Sequence, residues 1–288
     1  MSIEPRAVWK VGALLGEGPM WLPAEQALWF VDIKAGHIHR FDPASGNGET
    51  FATGGRPSFV VPTIDGGLLV GSGTALHRLE AGRLSEPVIT LDGPAHNRTN
   101  DATVDSAGRL WFGTMDDGEQ APSGQLYCFD RGRLRGTGWK AVVTNGPAIG
   151  GDGQWLYHVE SGARTIWRIA LRDGELASEG EVFVRLGKEE GYPDGVVVDA
   201  DDCLWVGLWD GWGVRRYSPE GELMLHIALP CPHVTKIAFG GSDLRTAYVT
   251  TARVGLDQAA LAASPLAGSL FAFDAPAPGR VLPAVRLA

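Results

Sequence analysis

Charge is scarce in this 288-residue chain, where Lys, Arg, Asp and Glu together make only 20% of the residues. That composition excludes a coiled coil, a long helical bundle and a charged disordered tail. No run rich in Lys or Arg interrupts a net charge of −9, so the electrostatic footprint needed for nucleic acid or an anionic lipid surface is missing. Small neutral or cationic partners are expected instead. Cysteine is nearly absent: Cys128, Cys203 and Cys231 lie far apart with no C-x-x-C. A disulfide framework and a thiolate zinc site are thereby excluded, and buried inert thiols are expected. There is no apolar run of the length that crosses a membrane, and the start Met1-Ser-Ile-Glu-Pro-Arg6 puts an acid and a proline where a signal peptide needs an apolar stretch. The expectation is a cytoplasmic protein with no membrane or nucleic-acid partner, a monomer or a weak homo-oligomer. Neither Gly-x-x-x-x-Gly-Lys nor Gly-x-Ser-x-Gly occurs, which argues against a phosphate cradle and a nucleophile elbow.

What the chain has in abundance is backbone punctuation: 40 Gly and 18 Pro, set beside ten Trp. Many short strands and tight turns follow from that mixture. The hydrophobic fraction of 44% is enough for a sizeable core. A motif of aliphatic, x, x, apolar recurs six times, as Ile38-His-Arg-Phe41, Leu76-His-Arg-Leu79, Leu126-Tyr-Cys-Phe129, Ile166-Trp-Arg-Ile169, Val214-Arg-Arg-Tyr217 and Leu270-Phe-Ala-Phe273. The spacing averages about 46 residues, the length of one four-stranded propeller blade. Each copy is preceded by a second strand, as in Ala27-Leu-Trp-Phe30 and Cys203-Leu-Trp-Val206, and most of these by a Gly/Asp turn and a further apolar strand. The predicted fold is all-β: one six-bladed β-propeller over residues 1–288, with four-stranded blades around a central channel. Either the segment Ala7 to Leu15 or the segment Val281 to Leu287 closes the ring.

In a propeller the first strand of each blade lines the channel, so residues in the same phase of the repeat converge at one mouth. Counting back ten or eleven positions from the leucine of each second strand reaches Glu17, Asn100 next to Asp101, Asn145 and Asp194, with Ser58 and Thr235-Lys236 in the two remaining blades. Glu17, Asn145 and Asp194 offer hard oxygen ligands of the kind Ca²⁺, Mg²⁺ or Mn²⁺ accepts, with Zn²⁺ and Fe²⁺ also compatible. Three such ligands leave coordination positions open, as metal catalysis requires. Taken singly, Gly-Glu-Gly, Asn-Gly and Pro-Asp-Gly read as ordinary turns whose polar side chains cap the backbone. Their shared phase favours the site. The ends of the second strands place Asp32, Met115-Asp116-Asp117, Glu160-Ser161 and Trp209-Asp210 around the same rim, and the long connections Asp116 to Gly124 and Ala252 to Gly268 over it, with a short helix at Leu256 to Ala263.

The chain resembles the SMP-30/gluconolactonase/regucalcin-like six-bladed propellers, and within them the bacterial aldonolactonases. The motifs carrying the resemblance are Leu15-Gly-Glu-Gly-Pro-Met-Trp21, Asn97-Arg-Thr-Asn-Asp101 with its continuation to Met115, Thr144-Asn-Gly-Pro147, Tyr192-Pro-Asp-Gly195, Phe239-Gly-Gly241 and Tyr248-Val-Thr-Thr-Ala-Arg253. It implies one divalent metal on Glu17, Asn145 and Asp194, and Arg98 and Asn100 on substrate oxygens; Asp101, adjoining them, is assigned with them to the substrate. The implied reaction is hydrolysis of a sugar 1,5- or 1,4-lactone, such as xylonolactone or gluconolactone, to its aldonic acid, with Asp194 or metal-held hydroxide as base. The same ring also suits a phosphotriesterase or a calcium-binding propeller without catalysis. Two departures stand out: Glu160 replaces an Asp of some relatives, and Gly118, between Asp117 and Glu119, falls where some carry a substrate-contacting acid.

Several other residues have simpler expectations. Trp209 and Trp212 are placed either against the sugar or in packing. His37 and His39 are read as exposed strand residues, His96 as within reach of the mouth, and Asp199-Ala-Asp-Asp202 as a tight turn at the far rim.

Overall fold

Burial falls steadily across each repeat and gives the blade its orientation. In the first repeat the strands Gly16–Leu22 and Ala27–Asp32 are almost wholly buried, His37–Asp42 is half-buried and Asn47–Ala52 faces solvent. The computed structural model describes residues 3–288. In it the six repeats form six antiparallel sheets around a channel, each with its most buried strand innermost, so the six-bladed β-propeller is observed as predicted. Blades I to III follow one another as simple meanders. In blade IV the third strand, Thr165–Arg172, is edged by two pieces, Glu175–Leu176 and Glu181–Arg185.

The ring closes through the N-terminal segment. Arg6–Trp9 pairs with Leu270–Asp274 as the outer strand of blade VI, and the Trp9 ring reaches across to Phe30 and Phe41 of blade I. The C-terminal segment instead crosses the lower face, where Val285 exchanges backbone hydrogen bonds with Pro62 and Ile64, and Arg286 bonds Gly108. Aromatic residues fill the seams between blades: Trp21 stacks on Tyr248, Phe59 packs on Phe112, and Trp205 meets Phe239 and Phe273.

The inner strands share one irregularity that the sequence did not reveal. In all six blades the pairing of first and second strands breaks at the same place: Glu17/Met20, Pro57/Phe59, Thr99/Ala102, Asn145/Ala148, Pro193/Val196 and Val234/Ile237. A bulge re-aims the side chains beside it and tightens the local twist. Hydrogen bonds at these positions sew neighbouring blades together. Ser58 donates to Thr99, Asn100 donates to the Thr144 carbonyl, Ser161 donates to the Pro193 carbonyl and Thr235 donates to the Gly16 carbonyl.

At the opposite rim an aspartate latches the turn between first and second strands. Asp199 accepts hydrogen bonds from the Asp201 and Cys203 amides, Trp205 Nε1 and Arg216 Nε. Asp105 does the same in blade III with the Ala107 and Arg109 amides, Arg109 Nε and Trp111 Nε1. The three cysteines are buried, as expected.

His39 departs from its expectation. It is buried, bonded through Nδ1 to Thr50 and flanked by Trp9 and Phe30, because the N-terminal closing strand covers that face of blade I. His158 is more extreme: it is fully buried beside Trp139 with neither ring nitrogen partnered, and burial holds its pKa down to about 4. It stays neutral in the fold while the unfolded chain takes up a proton near its ordinary value of 6.5. Its contribution to stability is therefore complete above pH 6.5 and is lost as the pH falls toward 4, on the order of 3 kcal/mol in all. Thermal melting of His158→Leu at pH 7 and pH 4.5 is expected to show a smaller acid loss than the parent; an equal loss would assign acid sensitivity elsewhere.

Candidate active site

The upper mouth of the channel opens into a cavity of ≈470 Å³ whose floor and walls include Glu17, Arg98, Asn100, Asn145 and Asp194. All five are almost fully buried and lie at or beside the inner-strand bulges. The local sequence explains this placement: Gly18 adopts a left-handed φ of 51°, and Gly146 one of 67°, which few other residues tolerate, so the chain turns immediately after Glu17 and Asn145.

The amide orientations follow from what the neighbours can do. A guanidinium only donates and a carbonyl only accepts. Arg98 Nη1 donates to Asn100 Oδ1 at 2.5 Å, and Asn100 Nδ2 donates to the Thr144 carbonyl and to Asn145 Oδ1, both at 2.7 Å. Asn145 Nδ2 in turn donates to Ser161 Oγ at 2.9 Å. Asn145 Oδ1 thus keeps an unused lone pair. Asn100, which was expected to touch substrate, lines the cavity but spends its polar atoms on fixing Arg98 and Asn145.

The two carboxylates are poorly compensated. Glu17 Oε2 accepts a hydrogen bond from the Gly18 amide, and Asp194 Oδ1 is buried with no partner. Burial, then the charge of Asp101, pushes Glu17 up to about 7; burial, then Glu17 and Asp101, pushes Asp194 well above the usual carboxylate range. Two buried acids that repel each other are costly unless a cation or protons intervene.

Asp101 faces a partner across the channel. It is not part of the cavity wall: its Oδ1 pairs with the buried Lys236 ammonium and accepts from the Ala102 amide, while Oδ2 has no partner. Its Oδ1 is thus engaged across the channel.

The rim carries a second knot of charge. Asp117 accepts hydrogen bonds from Lys34 Nζ at 2.9 Å and Arg98 Nε at 3.0 Å, and also pairs with Arg56. Burial opposes ionisation of Asp117, but the bonds from Lys34 and Arg56 and the charge of Arg98 hold its carboxyl down at about 2. Arg98 Nε and Nη1 are consumed by Asp117, Asn100 and the Thr99 carbonyl, so Nη2 is the end left for a ligand. The long connections reach the cavity through Glu119 and through Val254 and Gly255, and the predicted helix is observed at Gln258–Ala263. Trp209 forms a wall with its ring stacked 3.9 Å from that of His233, whose Nε2 lies 2.9 Å from Asp210 Oδ1. Trp212 is 48% exposed and takes no part. His96 is exposed, near Ser123 outside the cavity, and Glu160 is half-buried behind it. Lys34 and Ser161 have partners distant in sequence; Ser161 was placed only at the rim, and Lys34 was missed.

Among the described residues no group of three or more His, Cys, Asp or Glu gathers as a metal cluster. No helix among them is long and apolar enough to cross a membrane.

The sequence profile of the SMP-30/Gluconolactonase/LRE-like region matches residues 15–253. A 6-deoxy-6-sulfogluconolactonase from Pseudomonas putida is 34% identical over 97% of both chains. A pentonolactonase from Haloferax volcanii is likewise 34% identical, over 92% of each. The crystal structure of regucalcin, a calcium-binding protein, from Agrobacterium tumefaciens superimposes with a TM-score of 0.95 at 28% identity, covering 100% of this chain and 99% of that one.

Proposed function

This chain belongs to the SMP-30/gluconolactonase/LRE-like family, and we propose that it is a metal-dependent lactonase that opens a sugar 1,5- or 1,4-lactone to the aldonic acid. The observation that carries the reading is the pair of buried, mutually repelling carboxylates Glu17 and Asp194 beside the Asn145 amide oxygen, with Asp194 Oδ1 unpartnered. These are hard oxygen donors, buried and short of positive charge, and they fit one divalent cation. Glu17, Asn145 and Asp194 would hold it; Ca²⁺, Mg²⁺, Mn²⁺, Zn²⁺ and Fe²⁺ all suit the donor set. When bound, such an ion supplies Lewis acidity toward the lactone carbonyl and compensates the negative charge that develops on its oxygen.

The side chains of this protein do the rest. Asp194 takes the proton of the attacking water as the water oxygen adds to the lactone carbonyl. The ring C–O bond then breaks, and the departing ring oxygen takes that proton to become a hydroxyl of the aldonate; the burial of Asp194 suits a base that works near neutrality. Arg98 presents Nη2 to substrate oxygens while Asp117 and Asn100 fix its plane. Trp209, braced by His233, offers a flat face to the sugar ring. Walls bearing Lys34, Arg98 and Ser161 favour a polyhydroxylated lactone over the apolar substituents of a phosphotriester.

The test is a panel of freshly dissolved aldonolactones and one phosphotriester, assayed on chelator-stripped protein with each metal restored in turn. Lactone opening that needs a metal is expected, with the phosphotriester untouched. Full lactonase activity in rigorously stripped protein would remove the metal from the reading, and no opening of any lactone would remove the reaction.

A further inference from the structure

The ammonium of Lys236 lies in the middle of the propeller, 6% exposed as a residue, at a place where lysine is expensive to bury. Lys236 sits beside the bulge of blade VI and Asp101 beside that of blade III, which face each other across the ring. Their ion pair therefore spans the channel. The lysine stem passes directly over Gly195, the neighbour of Asp194: a Cβ added there would lie 2.5 Å from Lys236 Cγ. Above the pair is the cavity holding Glu17 and Asp194; below it is a second cavity of ≈330 Å³, lined by Val104, Ile149, Val198, Phe239 and Leu282, with Lys236 on its wall. Lys236 Nζ also reaches the Ala102 carbonyl at 3.3 Å, a second contact at the blade III end of the span.

At this crossing Glu17, Asp101 and Asp194 face Lys236; Arg98 also acts on Glu17, but its charge is matched by its own partner Asp117. Three carboxylates and one ammonium leave two negative charges, the complement of a divalent cation. We propose that the Lys236–Asp101 pair is a strut that forms the floor of the site and sets its net charge, so that the site selects a divalent over a trivalent cation. This rests on the metal reading above and assigns to the pair a positioning role, with no contact to substrate.

The experiment is calorimetric titration of metal-stripped protein with Mn²⁺ and with La³⁺, on the parent, Asp101→Asn, Lys236→Met and the double variant. Asp101→Asn leaves the site one negative charge short and is expected to bind Mn²⁺ on the order of ten- to a hundredfold more weakly. Lys236→Met adds one negative charge and is expected to move the La³⁺ to Mn²⁺ affinity ratio at least about tenfold toward La³⁺. The double variant restores the original charge with neutral side chains of similar volume, and its Mn²⁺ affinity is expected within about threefold of the parent. A double variant as weak as Asp101→Asn would overturn the proposal, since Asp101 would then act as a ligand or by packing. So would an unchanged ion ratio in Lys236→Met. The double variant decides the matter even where a single one, with its unpaired buried charge, fails to fold. A parent protein that binds no Mn²⁺ overturns the metal reading itself, whereas binding in the parent that is lost in the double variant overturns only the strut.

Discussion

Asp194→Asn is expected to lower kcat for the lactone by on the order of 10³-fold while leaving the metal-stripped protein as stable as the parent or more so. The two effects have opposite sign for one physical reason. The Asp194 carboxylate is buried, lacks a partner on Oδ1 and is repelled by Glu17 and Asp101, so in the absence of a cation its charge works against the fold. An amide of the same shape removes the repulsion together with the proposed base, and leaves the metal a neutral oxygen donor in place of a charged one. Thermal melting in chelator, alongside turnover with metal restored, measures both. A variant that loses stability and activity together would mark Asp194 as a structural residue. Glu17→Gln, which keeps the base, is expected to raise the stripped protein's midpoint in the same way and to lose activity chiefly through weaker metal binding.

The second large effect lies at the other rim and concerns stability alone. Asp199→Ala is expected to cost about 3 to 5 kcal/mol, because it strands a buried guanidinium and an indole N–H together with two turn amides. Arg216 is almost fully buried and its remaining ionic partner, Asp201, is largely exposed. The equivalent Asp105→Ala in blade III is expected to cost less, since Arg109 can turn toward water. Denaturant unfolding of both variants gives the comparison; a loss below about 1 kcal/mol for Asp199→Ala would show that the latch is replaceable by solvent. Lactone turnover of whatever folds is expected to stay near the parent's, because the latch is on the far side of the channel from the cavity.

The repeat was legible because each blade must bury the same face in the same order, which imposes a common period on sequences that otherwise differ. Its phase also singled out Glu17, Asn145 and Asp194, which the structure brings to one cavity. What could not be read was the choice among long-range partners. Lys236 and Asp101 are 135 residues apart, and Asp117 draws Lys34 from 83 residues away and Arg56 from 61. Nothing local distinguishes an aspartate that will meet a ligand from one that will meet a lysine across a channel. The closing strand was ambiguous for a related reason: both terminal segments are short and apolar, and only the packing of Trp9 on Phe30 and Phe41 separates them. His39 was misplaced by the same omission, since the strand that covers it, Arg6–Trp9, is the outer strand of blade VI.

The bulge repeated at one level of all six blades makes the channel a ring of interchangeable stations. Whatever residue occupies a station is delivered to the axis by the backbone, whichever blade carries it. Four blades here give theirs to Glu17, to Asn100 with Asp101, to Asn145 and to Asp194; blade VI contributes the Lys236 span, and Ser58 in blade II serves only to hold its neighbour. A change of chemistry in such a ring calls for a new side chain at a station and no new framework. Divergent activities can then arise by single substitutions while every blade seam, turn latch and closing strand stays as it is.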